Sequence, residues 1–202
     1  TKRHPSDIHL RVGCDDKGLI SGFVFDGIFN TGAYASWGPT VANRVPIHAC
    51  GPYKTDHYRA TSVAVHTNAP PAGAFRGFGV PQSAIAQECA FDLLADEIGM
   101  DRLAFRRSNA LKNGVPTVTG QVFKNGVGID DCFAALEQPW KNALSKAADF
   151  NKESIANGSP WRSGVGIASC WYGCGNTSLP NPSTMRMGIT PNGEIVLHQG
   201  AM

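Results

Sequence analysis

The stretch Pro70-Pro71-Ala72-Gly73-Ala74-Phe75-Arg76-Gly77-Phe78-Gly79-Val80-Pro81-Gln82 concentrates the side chains best suited to binding chemistry, with three glycines, an arginine and two phenylalanines between Gly73 and Gly79. Glycine lets a backbone turn tightly and approach a ligand with no Cβ in the way. The stretch joins a strand-like run (Tyr58 to Thr67) to the best amphipathic helix in the sequence. A helix that opens after such a turn offers unpaired N–H groups and the positive end of its dipole, which suits an anion. The predicted ligand is therefore a cofactor phosphate, with Arg76 aimed into the cradle and able to hold oxyanions in a fork. Phe78 offers a face on which a flat ring can stack. The competing reading is a turn whose glycines only let strand and helix pack closely. A Walker loop is excluded, because no Lys-Ser or Lys-Thr follows the last glycine, and the G-x-G-x-x-G order of a dinucleotide site is absent.

Other reactive residue types carry less. Cys14, Cys50, Cys89, Cys132, Cys170 and Cys174 are dispersed over a long chain, unlike the dense staples of a small secreted domain, and read as reduced thiols of a cytoplasmic protein. Cys170 and Cys174 are not a C-x-x-C pair, and no second pair sits at a zinc-like distance, so structural roles are expected. His57 and His66 are nine residues apart and would face opposite sides of one strand, so no directly coordinating metal ligand is assigned. Asp92, Asp96 and Glu97 read as the solvated side of a helix.

The chain has 202 residues, 42% hydrophobic content and a net charge of +2. That is enough for one generous core or two modest ones. No basic stripe points to nucleic acid, and no apolar run approaches the ~18 residues a membrane span needs. Small molecules and other subunits are the expected partners. Thr1-Lys2-Arg3-His4-Pro5 at one end and Gly200-Ala201-Met202 at the other look like cuts through a larger polypeptide, which predicts a fragment or processed piece.

The elements that must position these groups follow from periodicity. Ile8, Leu10, Val12 and Cys14 alternate as in a half-buried strand, Asp15-Asp16-Lys17-Gly18 supplies a turn, and Leu19 to Phe29 resumes a strand, which together predict a β-hairpin. Asn30 to Pro52 is rich in Gly, Pro, Ala and Trp and predicts an irregular loop or short helical turns. After Pro81, the residues Ile85, Ala86, Cys89, Ala90, Leu93, Leu94 and Ile98 recur at helical spacing, and Gly99 closes the helix. Asp101 caps a second helix through Phe105 and Arg106 to about Leu111. A third begins near Asp130 with Cys132, Phe133 and Leu136 on one face, and Pro139 predicts a break and restart with Trp140, Leu144 and Ala147 inward. Gly164 to Cys170, Thr184 to Ile189 and Glu194 to Gln199 read as strands, the last two joined at Pro191-Asn192-Gly193. The fold class is α+β, with mixed or antiparallel strands around a central helical block. The domain division expected is 1–157 and 158–202.

Gly73-Ala-Phe-Arg-Gly-Phe-Gly-Val-Pro-Gln82 also resembles the molybdenum-cofactor segment in the large subunit of the xanthine dehydrogenase and aldehyde oxidoreductase family. The resemblance runs from Lys2 to Gly200 and is strongest from Thr67 to Asn109. It implies that Gly73, Ala74, Phe75, Arg76 and Gly77 bind molybdopterin, with Arg76 beside the pterin and the molybdenum's oxygen ligands, and that Phe78 forms a wall of the substrate slot. Arg44 aligns without gaps, through Arg59 and Thr67-Asn68, with an arginine that orients a heteroaromatic substrate and stabilises developing negative charge in the purine-hydroxylating members. Aldehyde-oxidising relatives usually lack it, and the competing reading of Arg44 is a surface arginine in a loop. Trp171 to Thr177 resembles a segment that approaches the active site in bacterial members acting on N-heterocycles.

The implied whole is a multi-component hydroxylase that uses water to hydroxylate an electron-poor carbon of a purine or nicotinate-like ring. The alternatives are an aldehyde oxidoreductase and a non-catalytic assembly module. In that family the 2Fe-2S and FAD groups sit on other domains or subunits, and the general-base glutamate lies near the end of the large subunit, beyond Met202. The expected partners are therefore the remainder of the molybdenum subunit, the iron–sulfur and flavin components and a small-molecule substrate. This chain alone is expected to be inactive.

Overall fold

Apolar residues at every second position of the first strand pair with those of the second to give an antiparallel hairpin, β1 (Ser6–Cys14) and β2 (Ile20–Gly32), with Leu10 opposite Phe25 and Val12 opposite Phe23. In the computed structural model, which describes residues 2–173 and 184–199, the turn between them is held by the Asp15 carboxylate, which accepts from the amides of Lys17 and Leu19 at 2.9 and 2.8 Å. β3 (Tyr58–His66) lies parallel to β2 on its other side, giving the order β1-β2-β3.

A parallel pair needs a crossover. It is supplied by α1 (Gly38–His48), which resolves the Asn30 to Pro52 region into one regular helix between stretches of loop. Pro39 fits the first turn, where its missing N–H is no loss. Val41, Ala42 and Val45 bury a single face, which outweighs the weak local propensity of a segment with Pro46 inside it. The Tyr58 hydroxyl donates to the Pro46 carbonyl and ties the helix to β3.

The helices cover one face of this mixed sheet. Phe23, Phe25 and Phe29 of β2 are buried in one core with Phe91 of α2 (Val80–Glu97), Phe105 of α3 (Arg102–Asn109) and Phe133 and Trp140 of α4 (Ile129–Ala156). Phe91 meets Phe23, Tyr53 and Phe105 edge-on at 6.4, 5.0 and 5.5 Å between ring centres. Each such ring removed from water stabilises the fold by about 1.5–3 kcal/mol. Asp101 caps α3 as predicted, accepting from the Ala104 amide at 2.9 Å.

Three expectations are corrected. The buried face of α2 is made by Gln87, Glu88, Phe91 and Ala95, whereas Ile85 and Leu93, part of the apolar stripe whose spacing predicted the helix, are 69% and 71% exposed. The helix is turned so that Glu88 meets Arg106 in the interior, and with Asp92 also engaging Arg106 the polar side is not simply solvated. Pro139 does not break α4. Trp140 next to it is buried and its indole N–H donates to Asp101 at 2.8 Å, a tertiary tie that holds the helix on course through the lost backbone hydrogen bond. Gly164 to Cys170 forms no strand, although burial alternates, with Val165, Ile167 and Ser169 half-buried and Gly166, Ala168 and Cys170 exposed. The side-chain period is that of a strand; a ladder partner is missing among the described residues.

The contacts divide the chain into a unit of Thr1–Tyr172 and a unit of Gly173–Met202. In the second, β4 (Arg186–Ile189) and β5 (Ile195–His198) pair antiparallel, as the Pro191-Asn192-Gly193 turn predicts. Cys174 and the residues to Thr177, and Gly200-Ala201-Met202, lie outside the described residues. Among the described residues no helix is long and apolar enough to cross a membrane.

Candidate functional site

The glycine-rich loop turns through successive left-handed residues: Gly77, Phe78 and Gly79 have φ of 89°, 46° and 95°. For phenylalanine this is a strained conformation, and it is held by the Phe78 amide donating to the Phe75 carbonyl at 2.8 Å and the Val80 amide to the Gly77 carbonyl at 2.9 Å. At Gly79 a Cβ would lie 2.7 Å from Val45 Cγ2 and 3.1 Å from the Val41 carbonyl oxygen. Only glycine lets α1 pack directly against the loop here.

The donors this loop offers differ in place from those expected. In the first turn of α2 the Val80 amide is already bonded to Gly77 and Pro81 has none, so that turn has little left for a ligand. The amides of Ala74, Phe75, Arg76, Gly77 and Gly79, by contrast, have no hydrogen-bond acceptor among the described residues. The unbonded N–H donors therefore lie along the loop itself more than at the helix end. Arg76 is exposed. Its carbonyl accepts from Arg3 Nη2 at 2.8 Å, and the Arg3 guanidinium lies 4.7 Å from the centre of the Phe75 ring. Gly73 is anchored from the same N-terminal segment, its amide donating to the Lys2 carbonyl at 3.3 Å. The Arg3 guanidinium thus packs against the loop that carries Arg76, and Arg3 was not singled out in the sequence.

Arg44 is on α1, not in a loop, and is only 3% exposed, so it is no surface arginine. Its guanidinium carbon lies 6.0 Å from the centre of the Phe78 ring and 4.3 Å from that of Tyr172. Trp37 meets Phe78 edge-on at 6.3 Å. One turn further along α1, His48 stacks on Tyr172 at 5.8 Å and meets Trp171 at 5.5 Å. His48 Nδ1 lies 3.2 Å from the Arg44 carbonyl, and since a carbonyl can only accept, Nδ1 carries the proton. Burial pushes the His48 pKa down, the hydrogen bond to Arg44 opposes this in part, and the Arg44 charge adds to the lowering. The result is one guanidinium among aromatic faces with a neutral imidazole beside it. Such an arrangement suits a flat ring bearing partial or full negative charge.

The structure thus brings Arg44 and Phe78 together and sets Phe78 in the same loop as Gly73, Ala74, Phe75, Arg76 and Gly77. His48, Trp37 and Tyr172 complete the cluster; Tyr172 belongs to the segment whose resemblance implied an approach to the active site, whereas His48 and Trp37 were not read as site residues. The spacing of Arg44 and His48, four residues apart, would have placed them on one face had the segment been read as a helix.

The pattern defining molybdopterin cofactor-binding domains matches residues 1–110. This chain belongs to that family. It is similar to the nicotinate dehydrogenase large molybdopterin subunit of Eubacterium barkeri, with 41% identity over 129 residues, 64% of this chain and 30% of that one. The xanthine dehydrogenase molybdenum-binding subunit of Escherichia coli O157:H7 is 30% identical over 171 residues, 84% of this chain and 22% of the relative. Among solved structures, the aldehyde oxidoreductase from Desulfovibrio gigas superposes with a TM-score of 0.69 at 30% identity, covering 73% of this chain and 16% of that one. The molybdopterin-binding chain therefore spans 22% to 30% of the length of these two curated relatives. Its donor set fits the cofactor: a phosphate-bearing pterin needs N–H donors and cations, and the loop amides of residues 74–77 and 79, with Arg3 and Arg76, are of that kind.

Proposed function

We propose that this chain forms one wall of the active site of a molybdenum hydroxylase that hydroxylates an electron-poor carbon of an N-heteroaromatic ring, of purine or nicotinate type, with water as the oxygen source. The observation that carries this reading is the buried Arg44 guanidinium set between Phe78 and Tyr172. The loop Gly73 to Gly77 would hold the molybdopterin, with the amides of Ala74 to Gly77 and the Arg76 guanidinium as donors to its anionic groups. When bound, the molybdenum cofactor supplies the two-electron redox chemistry. Phe78 stacks against the substrate ring and fixes its plane. Arg44 orients the ring through its nitrogen or oxygen substituents and stabilises negative charge that develops there during attack. Its burial strengthens that effect, because water no longer screens the charge.

The general base, the iron–sulfur and flavin groups and the remainder of the molybdenum subunit come from outside these residues in a cytoplasmic complex. Within that subunit, residues 1–157 are the first part of the cofactor-binding region and 158–202 the start of the second. An aldehyde oxidoreductase is the second reading, favoured by the likeness to the Desulfovibrio gigas enzyme. The test is turnover by the complete enzyme in water labelled with heavy oxygen. Labelled hydroxyl in an N-heteroaromatic product, at a rate above that for aldehydes, is expected; an unlabelled product or a clear preference for aldehydes overturns the reading.

A further inference from the structure

Residues 164–172 carry Trp171 and Tyr172 to α1 but have no regular secondary structure. A segment without ladder or helix hydrogen bonds must be fixed by its side chains. Val165 and Ile167 pack against the core, which gives depth but little directional control. The directional contact is made by Ser169, whose hydroxyl lies 2.7 Å from the Tyr53 hydroxyl and 3.3 Å from Glu88 Oε1.

Tyr53 is 2% exposed, and its hydroxyl donates to Glu88 Oε1 at 3.0 Å. Burial first, and then the Glu88 charge, push its pKa up, so it remains a protonated donor. Glu88 is itself held by Gln87 Nε2 at 2.8 Å and by Arg106 Nε at 2.7 Å. With Tyr53, Gln87 and Arg106 as donors, the carboxylate is satisfied without Ser169. The serine contact is therefore not needed to solvate a buried charge, and its consequence is to fix where the segment lies. Ser169 is three residues from Tyr172. An extended chain covers about 3.3 Å per residue, so the lever between the anchored hydroxyl and the Tyr172 ring is roughly 10 Å.

We infer that Tyr53 and Ser169 are positioning residues that clamp the 164–172 segment to α2, so that Tyr172 lies on Arg44 and His48 and sets the orientation of the guanidinium. The structural part rests on the contacts above; the effect on substrate rests on the proposed role of Arg44. The test uses the complete enzyme with Ser169→Ala, Ser169→Thr, Tyr53→Phe, Tyr172→Ala and the double variant Ser169→Ala/Tyr172→Ala. Chymotrypsin nicking at Trp171 and Tyr172, mapped by mass spectrometry, reports how often the segment opens.

Ser169→Ala is expected to speed nicking roughly fivefold, the factor that follows from losing one net hydrogen bond of about 1 kcal/mol. It should raise KM for an N-heteroaromatic substrate and lower kcat as well, since Arg44 both orients the ring and stabilises the charge that develops on it. Ser169→Thr, which keeps a hydroxyl, should restore all three. In the Tyr172→Ala background the serine change should have no further effect on KM, because it acts through that ring. Tyr53→Phe should move in the same direction as Ser169→Ala. Unchanged nicking in Ser169→Ala overturns the clamp. Faster nicking with unchanged KM leaves the clamp standing and removes the substrate role of Arg44.

Discussion

The Arg44 guanidinium carbon stands 4.3 Å from the centre of the Tyr172 ring, and His48, one helical turn along, stacks on the same ring at 5.8 Å. A proton on His48 would put a second cation beside Arg44 in a buried cluster. Burial, together with the Arg44 charge, accordingly lowers the His48 pKa. The unfolded chain then takes up a proton below about pH 6.5 that the folded histidine resists, so stability is fully present above that value and is lost as pH falls toward the folded pKa. Burial lowers His4 as well, with the same sign. The unfolding midpoint of the complete subunit should therefore fall between about pH 7 and about pH 5, and His48→Gln should flatten part of that slope. An identical slope in the variant would remove His48 from the account.

Gly79 leads from the loop into α2 and packs against α1, the helix that carries Arg44. Its φ is +95°, and a Cβ there would lie 2.7 Å from Val45 Cγ2. Gly79→Ala combines a disfavoured backbone conformation with a steric conflict, and a loss of about 1–3 kcal/mol in unfolding free energy is expected by denaturant titration. A variant within about 0.5 kcal/mol of the parent would mean that α1 does not press on the loop as described.

Arg106 is fully buried, donates to the Glu88 carboxylate at 2.7 Å and lies 2.8 Å from the Asp92 carboxylate as an ion pair. Arg106→Met would leave the Glu88 carboxylate buried without its cation, at a cost of about 3–5 kcal/mol. Replacing both partners, as in Arg106→Met/Glu88→Leu, should recover a large part of that loss, because no lone charge remains inside. Chemical denaturation of the single and double variants separates the two cases; a double variant as unstable as the single one would show that the pair itself, not the orphaned charge, carries the stability.

Much of the fold was legible where the local signal and the tertiary demand agree. The β1–β2 hairpin, the Asp101 cap and the β4–β5 hairpin follow from alternation and turn chemistry alone. The misreadings share one cause, which is a distant partner overriding a local rule. Glu88 turns α2 toward Arg106 and leaves Ile85 and Leu93 outside, Trp140 reaches Asp101 and carries α4 through Pro139, and α1 forms because Val41 and Val45 have a core to enter. Gly164 to Cys170 keeps the alternation of a strand without a partner to pair with among the described residues. For the site, the loop motif pointed to donors at the start of α2, whereas the amides left without an acceptor among the described residues lie in the loop before it. Where the free amides lie depends on Pro81 and on the Gly77–Val80 bond, which only the folded backbone displays.

The measurement that bears most directly on the proposed site is the effect of Arg44→Ala on kcat/KM in the complete enzyme, with a purine and with an aldehyde as substrates. A buried guanidinium that stabilises charge developing on a heteroaromatic ring should be worth roughly a hundredfold or more on the purine, and within about threefold on the aldehyde. Equal losses on both substrates would contradict the assignment of Arg44 as the residue that reads the ring.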